Sequence, residues 1–295
     1  MELLQLKYFC DAAESENFSV TAKKFAVPPS GISQTIKRLE EELSVKLFER
    51  RANRILLSEQ GKIFYDGIKR GIESIENAKS AILDTNEELS GEIKISVFTN
   101  RRIVTRAIEK FRAEYKNVNL VINHNIEGDI KNFDLIIADE ELVGEGFEKT
   151  LLVNENIVLA MDRQNPLAKK YSIKAEDLKG QRFIAMPKGS SLYTQTKRIC
   201  ALGGFPANIV IQTDDPFYVR KYVEMGLGIA FVPEFSWKGL FSDKVILRGI
   251  GNFKRNICIF RPSERYYSKA SQLFSKMLLD LVAEAKEESY EGGNL

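Results

Sequence analysis

The chain has 295 residues, with 43 basic and 41 acidic side chains and a formal net charge of +2. That length suggests about two domains, each with room for a real core. The near balance of charge excludes binding of a polyanion by bulk charge, and a single histidine, His124, leaves little material for a zinc site or a Ser-His-Asp triad.

Leu3, Leu6, Phe9, Cys10 and Ala13 form the apolar stripe of a first helix. Ser19 is placed to cap a short second helix carrying Ala22 and Phe25, and Ala26-Val27 makes a tight joint before a third. In that third helix Ile32, Ile36, Leu39 and Leu43 recur at spacings of four, three and four, so they share one face. Ser30, Ser33, Gln34 and Lys37 fall on the opposite face, with Thr35 and Arg38 beside it. Donors at the N-terminal end and an apolar back suit a DNA major groove. The same pattern taken alone also describes an ordinary amphipathic surface helix. Helix, short turn and helix is the helix-turn-helix arrangement. Leu47 and Phe48 then anchor a polar loop, Glu49 to Arg54, that Ile55, Leu56 and Leu57 close. Its Arg50, Arg51 and Arg54 make it a wing able to touch phosphates. The first sixty residues hold nine basic and nine acidic side chains, so DNA affinity must come from local placement.

From Ser58 to Ser90 the chain reads as one long helix. Ile68, Ile75, Ile82 and Leu89 are seven apart, a heptad seam, and the small Gly71 and Ala78 allow close approach. At ~1.5 Å per residue it spans roughly 45 Å. Such a seam fits a second copy of the chain, giving a dimer, or the chain's own domain. Gly91 ends the helix, and strand-like and helix-like stretches then alternate. Strand candidates are Glu92–Val97, Val118–Ile122, Asp134–Ala138, Ile157–Met161, Phe183–Met186, Ile209–Thr213, Ile229–Val232 and Cys258–Phe260. Ile103, Ala107, Ile108 and Phe111 mark a helical face, with further helices near Thr194–Leu202 and Phe217–Met225 and over Ser268–Ala285. This is an α/β pattern with largely parallel sheets. The tail from Lys286 is polar and expected to fray.

Other readings find little support. Gly226-Leu227-Gly228 lacks the third glycine of a dinucleotide fingerprint, and the acidic pairs Glu140-Glu141 and Asp214-Asp215 have no catalytic frame. No enzyme activity, metal or cofactor is expected. The three scattered cysteines, Cys10, Cys200 and Cys258, read as reduced thiols of a cytoplasmic protein, with Cys200 either a buried neutral thiol or a redox sensor. The start of the chain is too acidic for a signal peptide, and no run approaches the roughly 20 apolar residues of a membrane span.

Residues 1 to about 60 resemble the winged helix-turn-helix of LysR-type transcriptional regulators. Leu6, Phe9, Ala12, Phe18, Ser19, Ala22, Ser33, Ile36, Leu39, Glu40, Leu43, Leu47-Phe48, Arg50, Leu57-Ser58 and Gly61 carry the resemblance. Where that family usually has a serine cap and a glutamine, this chain has Pro28 and Pro29. Pro29 suits the first helical position, but Pro28 cannot supply a capping oxygen. The rest resembles the family's effector-binding domain, two α/β lobes similar to periplasmic binding proteins. Gly91, Asp134-Leu135, Asn165-Pro166-Leu167-Ala168, Leu178 with Gly180, and Gly226 to Ala230 ending in Pro233 are the matching marks.

The resemblance implies three parts: a DNA-binding domain over 1–58, a linker and dimerisation helix over 59–90, and an effector-binding domain over 91–295. Its first lobe would take about 91–161 and 263–295 and its second about 162–262, so the chain leaves the first lobe near Met161 and returns near Pro262. An effector would lie between the lobes against Thr99, Asn100, Arg101 and neighbouring Arg102 on one side and Thr213, Asp214 and Phe217 on the other. Arginines at a helix start favour an anion, and Asp214 favours a zwitterion, so amino acids and their relatives rank first. Only about fifteen residues run from Leu120 to Asp134, so His124 to Gly128 replaces a fuller turn and helix. The function implied is a cytoplasmic, sequence-specific regulator of transcription, a homodimer or homotetramer on double-stranded DNA, with RNA polymerase as a partner. The alternative is a ligand-independent DNA-binding protein whose C-terminal domain only mediates oligomerisation.

Overall fold

A computed structural model of the protein describes residues 1–51, 54–86, 88–124 and 129–291, and of residues 50, 51, 54 and 289–291 it describes the backbone alone. The chain divides into two units, Met1–Thr85 and Asn86–Leu295. Residues 52–53 of the expected wing, residues 125–128 and the side chains of Arg50, Arg51 and Arg54 lie outside the described residues.

In the first unit, helices α1 (Leu3–Ser15), α2 (Phe18–Lys24) and α3 (Pro29–Leu43) precede strands β1 (Phe48–Arg51) and β2 (Arg54–Leu57) and helix α4 (Glu59–Leu83). The cap of α2 is Asn17 and not Ser19. Extended Asn17 accepts the N–H groups of Ser19 and Val20 at 3.0 and 3.3 Å, so Ser19 is already inside the helix. Ala26, at φ +52°, makes the tight joint, and its N–H and that of Val27 close back on Lys23 and Ala22 carbonyls. Pro28 and Pro29 hold the cap and first positions of α3, which has no side-chain cap. Phe9, Ala12, Ile32, Leu39 and Leu47 form the core, with Phe64 of α4 tilted on Phe9 at 5.0 Å. The β1–β2 pair is antiparallel, Phe48 opposite Leu57. Glu40 ties α3 to it, accepting the Leu47 and Phe48 N–H groups at 2.9 and 3.3 Å. Gly61 is required where it stands, because a Cβ there would meet the Leu47 carbonyl oxygen at 2.1 Å.

Helix α4 is shorter than the sequence suggests. It stops at Leu83, capped by Asp84, and Gly91 opens a strand instead of ending the helix. Leu89 therefore leaves the seam and packs against the core of the second unit. Ile68, Ile75 and Ile82 remain on α4, and Ile75 and Ile82 are 50% and 68% exposed.

The second unit runs β3 (Gly91–Val97), α5 (Arg101–Glu114), β4 (Val118–Asn123), β5 (Leu135–Asp139), β6 (Phe147–Asp162), β7 (Phe183–Ala185), α6 (Ser191–Leu202), β8 (Ile209–Gln212), α7 (Pro216–Glu224), β9 (Ala230–Pro233), β10 (Val245–Pro262) and α8 (Lys269–Glu291). One sheet has the order β4-β3-β5-β10-β6-β9 and a second pairs β7 with β8. The larger sheet is mixed, not largely parallel. β3 runs parallel to β4 and β5, while β10 and β6 pair antiparallel with each other and with β5 and β9. Between His124 and β5 the described residues hold one 3-10 turn, Ile130–Asn132, capped by Asp129. α8 continues through the tail to Glu291.

Two large apolar cores fill this unit, beside a small cluster of Ile136, Ala138, Cys258 and Phe260 on β5 and β10. Ile95, Phe111, Phe274 and Leu278 mark the first, and Met161, Phe183, Ile199 and Val232 the second. β6 and β10 serve both: Val153 and Ile257 belong to the first core, Ile157 and Ile250 to the second. The chain thus passes between cores near Asn154–Asn156 and 250–256, and Met161 lies well inside the second core, not at the exit from the first. The β6–β10 ladder breaks twice at this crossing, between Gly249 and Lys254 and between Ile257 and Cys258.

Candidate functional site

On α3, Ile32, Ile36 and Leu39 are buried, whereas Ser30, Gln34, Lys37 and Arg38 are exposed and Ser33 and Thr35 half-exposed. The helix thus presents hydroxyl, amide and cationic groups outward from an anchored back. Lys37 also faces Glu41 one turn on, at 3.5 Å.

In the second unit a cavity of about 230 Å³ lies between the two cores. Three helix starts line it: Asn100 to Arg102 at α5, Ser190 to Leu192 at α6, and Asp215 to Phe217 at α7. Ser190 accepts the Tyr193 N–H and Asp215 that of Phe217, so α6 and α7 cap themselves. α5 does not. Asn100 sits at φ +57° and its side chain makes no cap, which leaves first-turn N–H groups for another acceptor. Asn100 turns away because it meets Ser236: the Ser236 Oγ lies 2.7 Å from both Asn100 Oδ1 and Glu155 Oε1, and its single proton serves one of them.

Beneath this turn lies a buried ion network. Arg255 on β10 stands opposite Glu155 on β6 and donates to it through Nε at 2.8 Å. The same carboxylate accepts the Ser236 N–H at 2.7 Å. Arg255 also reaches Thr99 Oγ1 at 3.2 Å and Ser191 Oγ at 3.5 Å, and its Nη1 lies 3.7 Å from Asp139. Among the described residues, three atoms here are buried without a hydrogen-bond partner: Asn100 Nδ2, Arg102 Nε and Asp139 Oδ2. Arg101 is exposed and donates to the His124 carbonyl at 3.4 Å. On the far wall the Arg220 guanidinium lies 5.3 Å from the Trp237 ring centre. Burial lowers its pKa, and Asp215 nearby acts in the opposite sense.

Of the residues expected at this cleft, Thr99, Asn100, Arg101, Arg102 and Phe217 line the cavity. Thr213 and Asp214 do not. The Thr213 N–H is held by the Ala185 carbonyl and its hydroxyl by the Asp215 N–H, so the lining acid is Asp215, one residue later. Sequence reasoning missed Asp139, Ser191, Arg220, Ser236, Trp237 and Arg255. Asp139 was within reach, because it ends a strand at the ligand-binding edge of an α/β sheet. Glu155 and Arg255 carry no local signal, since what makes them a pair is register across 100 residues.

Two family models account for both units. The model described as the bacterial regulatory helix-turn-helix protein of the lysR family matches residues 3–62. The one described as the LysR substrate binding domain matches residues 86–283, two thirds of the chain. The chain belongs to the LysR family of transcriptional regulators. Among this LysR regulator's relatives, the transcriptional dual regulator GltC of Bacillus subtilis is 29% identical over 298 residues, spanning 94% of this chain and 99% of GltC. A full-length OxyR variant from Pseudomonas aeruginosa, carrying one substituted cysteine, shares the fold at a TM-score of 0.71 and 19% identity, over 96% of this chain and 94% of that one. The regulatory domain of CcmR from Synechocystis PCC6803, solved in complex with 2-PG, matches at 0.59 and 18% identity, over 65% of this chain and 98% of that one. No helix among the described residues is long and apolar enough to cross a membrane.

The expected role of the α3 polar face in base reading has a direct test: if Ser33 and Gln34 touch base edges, Ser33→Ala and Gln34→Ala should each weaken specific binding by roughly 1–3 kcal/mol. Mobility shifts on the operator against random DNA check this. Wild-type specificity in both variants would remove this face from base reading. The cysteine alternative also narrows here. Cys200 is fully buried in the second core, and burial pushes its thiol up to about 11. That favours a protonated, poorly nucleophilic side chain.

Proposed function

We propose that this LysR regulator works in the cytoplasm as a homodimer or dimer of dimers on promoter DNA, and that a small molecule enters the cleft of its second unit through an anionic group. RNA polymerase is the partner through which DNA-bound protein acts. The observation that carries the ligand reading is the start of α5. Alone among the three helix starts lining the cavity, it has no capping side chain, and Arg101 and Arg102 flank it. A carboxylate or phosphate there takes the first-turn N–H groups and the guanidinium of Arg102, whose Nε is buried and unpaired. The 2-PG held by the CcmR regulatory domain supports a ligand-bearing role for this kind of domain.

A thermal-shift screen of carboxylates and phosphates on the full chain tests the reading. A ligand at 100 times its dissociation constant should add about 2.7 kcal/mol of stability. Arg102→Ala should cost about 1.5–3 kcal/mol of binding, the loss of a charge-assisted hydrogen bond. Arg101→Ala should cost less, since that side chain is exposed. Stabilisation by cationic compounds alone would contradict the anion site, and no stabilisation by anything would favour the ligand-independent alternative.

A further inference from the structure

The cavity has a second pole. Its floor sets one guanidinium, Arg255, among two carboxylates, Glu155 and Asp139. Glu155 takes the close contact, at 2.7 Å from Arg255 Nη2, and Asp139 is left 3.7 Å from Nη1. One carboxylate therefore has no cation of its own. Asp139 Oδ1 is engaged in capping the 3-10 turn at Glu141, at 3.3 Å, so the side chain is held in place while the buried Oδ2 faces the shared Arg255 at 3.7 Å, beyond hydrogen-bond reach, and has no hydrogen-bond partner among the described residues. A buried carboxylate that shares one cation with a second carboxylate and lacks a hydrogen bond costs free energy that a further cationic donor recovers.

We infer that Asp139 receives the ammonium group of the ligand, which makes the ligand an α-amino acid. This rests on the anion site at α5 proposed above. Strand register puts the two poles side by side. β3 and β5 are parallel neighbours with Val97 opposite Ile137, so Asp139 and Thr99 leave adjacent strand ends, about 4.8 Å apart by ordinary strand spacing. The α5 start follows Thr99 at once. Carboxylate and ammonium on one carbon match poles that close. A mono- or dicarboxylate without an amine satisfies α5 but leaves Asp139 Oδ2 without a hydrogen bond. The mixed signs assigned by sequence to Arg101 and Asp214 thus belong, in the folded protein, to the α5 start and Asp139, since Asp214 lies outside the cavity lining.

The test uses the full chain and three matched sets of probes: the common L-α-amino acids, the same carboxylic acids lacking the amine, and the same acids with a hydroxyl in its place. Thermal shift finds binders and calorimetry measures them. The expected result is at least one amino acid whose deamino and hydroxy analogues bind tenfold or more weaker. Asp139→Asn should close that gap by lowering affinity for the amino acid alone. Comparing analogues on the wild type keeps the test independent of how the variant folds. Equal binding of the amino acid and its deamino analogue overturns the role of Asp139 and leaves the anion site standing. Equal binding of the hydroxy analogue overturns the ammonium assignment. No binding by any carboxylate overturns this inference, and failure of the phosphates in the wider screen as well overturns the anion site with it.

Discussion

Glu155→Ala should destabilise the second unit by about 3–5 kcal/mol, the loss expected when one partner of a buried ion pair is removed. Glu155 is 3% and Arg255 8% exposed, so water does not replace the lost carboxylate. The deletion strips Arg255 of its 2.7 Å contact and leaves it only Asp139 at 3.7 Å and two hydroxyls. It also orphans the Ser236 N–H, held at 2.7 Å by the same carboxylate. Glu155→Gln keeps one acceptor oxygen, enough for Arg255 or the Ser236 N–H but not both, and should cost less than the alanine. Urea unfolding followed by fluorescence reads the effect cleanly, because the chain's single tryptophan, Trp237, lies in this unit's second core. A loss below about 1 kcal/mol for Glu155→Ala, within the range of an exposed pair, would show that water reaches the network.

Ile75→Glu and Ile82→Glu should each convert a dimer to monomer. Both side chains lie on α4 seven residues apart, and 50% and 68% of their surfaces are exposed, which is costly for large aliphatic groups unless another surface covers them. Glutamate in a dry seam carries a desolvation penalty of several kcal/mol. Because a dimer reads two half-sites at an effective concentration set by the tether, operator affinity should fall on the order of 100-fold or more. Light scattering on the purified variants decides the first effect and mobility shifts the second. A wild-type dimer in both variants would mean that this stripe is not the seam.

The first unit was legible because its contacts are local. Ile32, Ile36 and Leu39 announce a helix by spacing alone, and all three are buried. Errors there were of cap and end. Asn17 displaced Ser19 by offering an amide oxygen two residues earlier, and α4 stopped at Leu83 although the heptad period runs on to Leu89, because that last leucine is taken by the second unit's core. In the second unit the apolar runs marked strand centres such as Ile157 to Met161. Charged and amide residues that interrupt Phe147 to Asn156 and Val245 to Asn256 hid the fact that β6 and β10 have 16 and 18 residues. Those strands pair antiparallel over long sequence distance, and it is they that make the sheet mixed. At the cleft, the α5 start could be read from Thr99-Asn100-Arg101-Arg102, whereas Glu155 and Arg255 meet only once the register is set.

The two breaks in the β6–β10 ladder give the crossing the mechanics of a folding rule with two joints. Between them lies a stiff leaf of four pairs, Lys254 with Asn156 through Ile257 with Val153, and Glu155 and Arg255 are on that leaf. At one joint the ladder skips residues 250–253, with Gly251 at φ +66°, and at the other it skips Leu152. Bulges are where a strand bends without surrendering its neighbouring pairs. A bend at this crossing would therefore be taken up by a few backbone angles at the joints, and the four rungs that carry Glu155 and Arg255 would stay whole.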